Sequence, residues 1–371
     1  MKRSKIFSSL IFSVLMIILF CTSIYAYDYK EVWANNEAMY SFNNFVSQVQ
    51  KDKSTDISSL RLYPGGMPFG VKIISKGLCV VGFSENEGKN TSVAFSAGVR
   101  LGDIIIKANA KDINSIEDYT QELNKNGDKP LTLTVKRGSS TLEFTFVPQY
   151  VKDECSYKSG LWLKDSTSGI GTVTFVDPHT GAFGGLGHGI CDINTGNLVP
   201  LSKGLIMDVT VNGVIKGKIG SAGELKGSFN PKKIGRLTKN SSCGVFGLIS
   251  LNNDSFPEGP LPVATKNEVK AGDAYIWCTL SDSKPCRYKV QLSDIDVSCT
   301  GVKNFRVKIV DPSLLEKTGG IVQGMSGSPI IQNGKLVGAV THVLINDPTT
   351  GYGIFIENML NAANIPMAKA S

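Results

Sequence analysis

Ser326 stands in the segment Gly324-Met325-Ser326-Gly327-Ser328-Pro329, where glycines two places before and one place after a serine leave room for a tight loop. Attack by a hydroxyl on an amide needs a base to take its proton and backbone donors placed for the oxyanion. The N–H groups of Gly324 and Ser326 are the candidate hole. The chain has three histidines, so the search for the base is short. His188 lies in Phe183-Gly184-Gly185-Leu186-Gly187-His188-Gly189-Ile190, whose glycines permit close approach of another segment and leave the imidazole accessible; it is the predicted base. His179, in Asp177-Pro178-His179-Thr180-Gly181, reads as a solvated turn residue. For the acid, Asp177, Asp192, Asp208 and Asp311 each offer a carboxylate that could orient a histidine. By spacing alone Asp311 reads as structural, because Asp311-Pro312-Ser313-Leu314 has the form of an N-cap followed by proline at the first helical position.

The elements around the serine must hold such a loop. Pro329-Ile330-Ile331, an Asn333-Gly334 turn and Leu336–Val340 predict a strand, a turn and a strand. The loop and this hairpin resemble the Gly-x-Ser-Gly-Gly/Ser-Pro nucleophile motif of chymotrypsin-like proteases. In such a barrel the strand after the nucleophile borders the primary specificity pocket, which makes His342 a candidate for substrate contact as well as a packed structural residue. Strands are also expected at Gly169–Phe175, and at Met207–Val211 meeting Val214–Lys216 across Asn212-Gly213. From Cys155 to Ser371 the pattern is that of an antiparallel barrel or sandwich.

Residues 63–151 show short strands around one helix. That helix is expected over Ser115–Asn126, with Ser115 as N-cap and Glu117 and Asp118 in its first turn. Leu131–Arg137 and Thr141–Phe146 close the unit as a hairpin. Ser96-Ala97-Gly98-Val99-Arg100-Leu101-Gly102-Asp103-Ile104-Ile105 resembles the signature of PDZ domains found beside bacterial serine proteases. Met67-Pro68-Phe69-Gly70-Val71 falls at the place of the carboxylate-binding loop, so Phe69, Gly70 and Val71 are the predicted peptide-binding residues.

The chain of 371 residues is long for one core, and 39 glycines against three tryptophans suggest many turns between short strands. Lys2, Arg3 and Lys5 supply three of the seven net positive charges, and no basic block interleaved with aromatics appears, which argues against nucleic-acid binding. Those three residues precede an apolar run from Ile6 to about Ala26, expected to be a signal-anchor over residues 1–26, with a polar stalk over 27–62. Seven cysteines follow the anchor, an odd number, with no C-x-x-C. A Cys278–Cys286 or Cys286–Cys299 bridge and buried free thiols are both open.

The anchor, the PDZ-like unit, Gly185–Ile190 and the run from Asp311-Pro312 through Gly319-Gly320-Ile321-Val322-Gln323-Gly324-Met325-Ser326-Gly327-Ser328-Pro329 together resemble the SpoIVB-like stage IV sporulation serine peptidases. The resemblance implies a mainly β chain: an N-terminal membrane anchor, a PDZ-like domain at 63–151 and a chymotrypsin-like double β-barrel at 155–371. It implies a triad of His188, Asp311 and Ser326, reversing the structural reading of Asp311, and no metal or cofactor. It also implies export across the forespore membrane into the space between forespore and mother cell, and self-cleavage. The implied target is a regulatory membrane protein that restrains an intramembrane protease, which in turn activates a late sigma factor. Met325 stands where trypsin-type enzymes carry the aspartate that pairs with a new N-terminus, so self-cleavage is expected to release the enzyme or free the PDZ groove without building the oxyanion hole. The rival expectation is an exported PDZ-containing scaffold whose protease-like domain binds without cutting.

Overall fold

The computed structural model describes residues 57–363 except 87–88, 91, 193–195, 253–254 and 282–283. The predicted anchor and nearly all of the predicted stalk lie outside the described residues. Among those residues no helix is long and apolar enough to cross a membrane.

The sixteen strands used below are β1 (Arg61–Pro64), β2 (Pro68–Phe83), β3 (Ile104–Ala108), β4 (Leu131–Arg137), β5 (Ser140–Phe146), β6 (Leu161–Val176), β7 (Ala182–Gly185), β8 (Leu201–Ile215), β9 (Glu224–Ser241), β10 (Gly244–Ile249), β11 (Gly272–Cys278), β12 (Cys286–Ser293), β13 (Phe305–Ile309), β14 (Pro329–Gln332), β15 (Lys335–Leu344) and β16 (Asp347–Phe355). The helices are α1 (Val93–Ser96), α2 (Ile116–Asn126), α3 (Pro312–Thr318) and α4 (Ile356–Ala362).

Two barrels form. In the first, β6 pairs with β2 and β7, β7 with β10, β10 with β9, β9 with β8, and β8 returns to β2, which closes the circuit. Its interior is apolar, with Phe69, Ile73, Val173, Phe183, Ile206 and Val245 buried. The second barrel closes in the order β11-β12-β13-β16-β15-β14. Alternation decides which side chains enter it: Ala274, Ile276 and Cys278 point inward from β11, Tyr288, Val290 and Leu292 from β12. A seam of Phe175 and Phe246 against Ala339, Ile354 and Met359 joins the two barrels. The expected double barrel is therefore present.

The PDZ-like unit grows out of the first barrel. Beyond Gly77, at φ +90°, β2 continues from Leu78 to Phe83, pairing on one side with β3 and on the other with the start of β6. β3, β4 and β5 complete its sheet, and α2 packs Tyr119 and Leu123 into its core. Ser115 caps α2 as expected, its hydroxyl accepting from the Asp118 N–H. Asp103 of the signature is buried and holds Arg137 at 2.7 Å, a structural role.

Three expectations need correction. Phe69, Gly70 and Val71 do not form a carboxylate-binding loop. They lie inside β2 in the first barrel, with Gly70 opposite Ile170 on one side and Met207 on the other, so their backbone serves the barrel sheet and not a ligand. Phe69 and Val71 are buried in the core, and a Cβ on Gly70 would strike the Phe229 ring. Secondly, Asn212-Gly213 is not a hairpin turn: β8 runs through it, with a register shift between Val211 and Gly213 that accommodates the pair as a bulge. The Asn333-Gly334 turn does form, both residues adopting positive φ as a tight hairpin turn demands. Finally, the unit does not begin at Tyr63, since β1 pairs with the barrel end of β6 and Leu62 is buried in the seam.

Candidate active site

Ser326 sits on a loop held from both barrels. From the first barrel, the Thr172 N–H donates to the Ser326 carbonyl at 3.0 Å. The Thr172 hydroxyl donates to the Gly324 carbonyl at 2.7 Å, and the Thr174 hydroxyl to the Gly327 carbonyl at 2.8 Å. From the second barrel, Val340 accepts the Gly327 N–H at 2.8 Å. Gly327 has φ +96°, and a Cβ there would come within 2.1 Å of the Thr172 carbonyl oxygen, so only glycine fits. With its carbonyl turned to Thr172, Gly324 leaves its N–H without an acceptor among the described residues, as does Ser326. These are the two donors expected for the oxyanion. Met325 between them is fully buried, its sulfur facing the Val322 N–H at 3.5 Å.

His188 is carried on a turn in which the Gly187 N–H reaches back to the Gly185 carbonyl, with Leu186 and Gly187 both at positive φ. A Cβ on Gly187 would lie 2.9 Å from Thr341 Cγ2, so this turn is pressed against the strand that follows the nucleophile. The His188 Nδ1 is 2.9 Å from its neighbour's carbonyl, Gly189 O. A carbonyl can only accept, so the bond places the proton on Nδ1 and leaves Nε2 as the basic nitrogen. Desolvation lowers the His188 pKa, an effect the Gly189 bond opposes, and the shift favours the neutral imidazole that a general base requires.

Two threonines join the loops. Thr172 binds the nucleophile loop through its N–H and hydroxyl, while its carbonyl accepts the Leu186 N–H of the histidine loop at 3.2 Å. The carbonyl of Thr341 accepts the Ser326 hydroxyl at 2.7 Å. Spacing did not mark either residue. The available signal was the run Thr172-Val173-Thr174, in which hydroxyls alternate with a buried valine on a strand.

His342 follows Thr341, and its ring centroid is 5.0 Å from that of His188, inclined at 40°. Although His342 is exposed as a residue, desolvation of its ring, the His188 ring and Lys303 together push its pKa down to about 4. His179 is exposed on a turn whose N–H groups are capped by Asp177.

Asp311 is not brought to His188. Its carboxylate accepts the Leu314 N–H at 3.1 Å, capping α3, and the Lys289 N–H at 3.2 Å. The other candidates are also engaged elsewhere: Asp177 in its turn, Asp192 with Lys164 at 3.6 Å and Asp208 with Asn230 at 2.9 Å. Among the described residues no carboxylate is hydrogen-bonded or ion-paired to His188. Nor is any group of three or more His, Cys, Asp or Glu side chains among them placed to hold a metal.

The serine loop and the histidine loop lie at the junction of two barrels, and residues 155–360, which hold both loops, match the family model of a peptidase, the SpoIVB peptidase S55. The chain belongs to the SpoIVB peptidase S55 family, as the motifs had indicated. A Clostridium acetobutylicum protein named as a zinc metalloprotease is 31% identical over 90 residues, a stretch covering 22% of this chain and 26% of that one. Among solved structures, the active form of the Rv3671c protease of M. tuberculosis is 12% identical, covers 55% of this chain and 77% of its own, and overlays with a TM-score of 0.32. The PDZ domain of an SdrC-like protein of Listeria monocytogenes is 13% identical, covers 24% of this chain and 90% of its own, and overlays at 0.21. Overlays this loose describe a distant likeness of shape only.

Proposed function

We propose that this peptidase is a serine endopeptidase in which Ser326 attacks the scissile carbonyl, His188 takes and returns the proton, and the N–H groups of Gly324 and Ser326 hold the oxyanion. The observation that carries this reading is that Thr172 bonds to both loops at once. In this scheme the Ser326 hydroxyl leaves the Thr341 carbonyl, its acceptor in the structure, and gives its proton to Nε2 of His188. Asp311 acts at a distance in this scheme. It caps α3, whose end leads through Gly319–Gln323 into the nucleophile loop, and so positions that loop.

The biological setting implied by the family is part of the proposal. The chain is a developmental signalling protease of endospore formation, anchored in or secreted across the forespore membrane. There it cleaves itself and a regulatory membrane protein, triggering intramembrane proteolysis and late sigma-factor activation.

The hydroxyl's bond to Thr341 gives the second reading, a scaffold that binds without cutting, its footing. An alkyl fluorophosphonate decides between them. Covalent labelling that is lost in Ser326→Ala establishes the nucleophile, whereas an unlabelled wild-type chain sinks it. Intact-mass measurement of both proteins after expression reports self-cleavage and its dependence on Ser326.

A further inference from the structure

Next to His342 lies a cation that no part of the chemistry above uses. Thr341, whose carbonyl receives the Ser326 hydroxyl, directs its own hydroxyl to the Val302 carbonyl at 2.9 Å. The next residue is Lys303, which is exposed, with its Nζ 5.1 Å from the centroid of the Tyr352 ring. Tyr352 is directly opposite His342 in the β15–β16 ladder, and the His342 ring in turn faces His188. Lys303, Tyr352 and His342 therefore line one exposed surface that starts at the nucleophile's own hydrogen-bond acceptor. Among the described residues no carboxylate is ion-paired to Lys303, while Arg306, three residues on, is paired to Asp294 at 3.0 Å.

An ammonium on an aromatic face with no counter-ion, next to an exposed imidazole, is the arrangement that receives a carboxylate: the lysine supplies charge and the imidazole a hydrogen bond. We propose that Lys303 and His342 form an anion-recognising subsite, and that the enzyme prefers substrates with an acidic side chain on the residue whose carbonyl Ser326 attacks. The positive charge felt at His342 is consistent with this, since Lys303 opposes its protonation and a bound carboxylate would remove that opposition. The surface is open to water, so the charge is screened and the expected discrimination is modest, roughly tenfold between an acidic and a basic side chain.

The inference rests on the serine-peptidase reading, and the test separates the two. Three diphenyl phosphonates, identical except for a glutamate-like, glutamine-like or lysine-like side chain next to phosphorus, are reacted with the full chain, and second-order inactivation rates are compared. An alkyl fluorophosphonate, which carries no such side chain, reports the nucleophile alone. The glutamate-like probe is expected to react about tenfold faster than the lysine-like probe. Lys303→Gln should remove most of the difference and Lys303→Glu should invert it, each rate being taken relative to the same variant's alkyl rate. Equal rates with the three probes, or a preference that survives Lys303→Glu, overturn the subsite while leaving the nucleophile standing. Failure of every phosphonate, the alkyl one included, removes both.

Discussion

Thr172 and Ser326 are bonded backbone to backbone at 3.0 Å across the junction of the two barrels, and the same threonine accepts the N–H of Leu186, two residues before His188. One residue of the first barrel thus fixes the spacing between the serine loop and the histidine loop. The proposed active site is a property of the interface, and mutations there should separate activity from folding.

Thr172→Val keeps the shape of the side chain and removes the hydroxyl that turns the Gly324 carbonyl away from the oxyanion hole. That carbonyl then lacks its partner, at a cost of about 1–3 kcal/mol of stability. A larger effect is expected on turnover. kcat should fall about 10–100-fold with KM nearly unchanged, because the oxyanion donors act in the transition state. Steady-state kinetics on a cleavable peptide, with denaturant melts alongside, check the split.

Gly187→Ala places a methyl group against Thr341 Cγ2 and Ile354 Cγ2 at a φ of +68°. The histidine loop must back away from the serine, and displacement by about 1 Å suffices for a loss near 10²-fold. Gly138→Ala is the control, since its φ of +60° imposes the same kind of strain with nothing within 4 Å. It should cost about 1 kcal/mol of stability and leave activity intact.

Asp311→Asn distinguishes a capping residue from a triad acid. Asparagine caps a helix as well as aspartate does and forfeits only the exposed bond from the Lys289 N–H, so the fold and most of the activity should survive, while Asp311→Ala should lose about 1 kcal/mol and part of the activity. An acid that orients the base behaves differently: its conversion to the amide costs about 10⁴ in kcat. A drop of that size in a well-folded Asp311→Asn protein would return Asp311 to the triad and require a rearrangement that brings it to His188.

The pH dependence has a defined sign. His188 must be neutral to act as base, and its pKa is lowered chiefly by desolvation, so kcat/KM should rise with pH through a midpoint below the ordinary histidine value of about 6.5. The depressed pKa of His342, about 4, means the unfolded chain binds more protons than the folded one between the two values. Its contribution to stability is fully present above about pH 6.5 and is lost as pH falls toward 4. Chemical denaturation at pH 7 and pH 5 should show a smaller decline in His342→Gln than in wild type.

How much of this was legible before folding depended on whether the signal was local. The Ser326 loop, the Asn333-Gly334 hairpin, the Ser115 cap and the Asp311 cap are written in neighbouring residues, because turn geometry and capping act over three or four positions. The same locality misled at Phe69-Gly70-Val71 and at Asn212-Gly213. In both places a loop-like segment lies inside a long strand, held there by pairing with neighbouring strands that no local window shows.

By itself the sequence determined the chemistry on offer, a serine and a histidine on glycine loops with candidate donors for an oxyanion, and the family to which that pattern belongs. Only the tertiary structure decided which groups meet. It brought His342 against His188, placed Thr172 and Thr341 between the two loops, and kept Asp311 at the head of its helix. The physical reason is that these contacts join β6, β15 and loops up to about 150 residues apart, and their geometry follows from the closure of two barrels, which no local window contains.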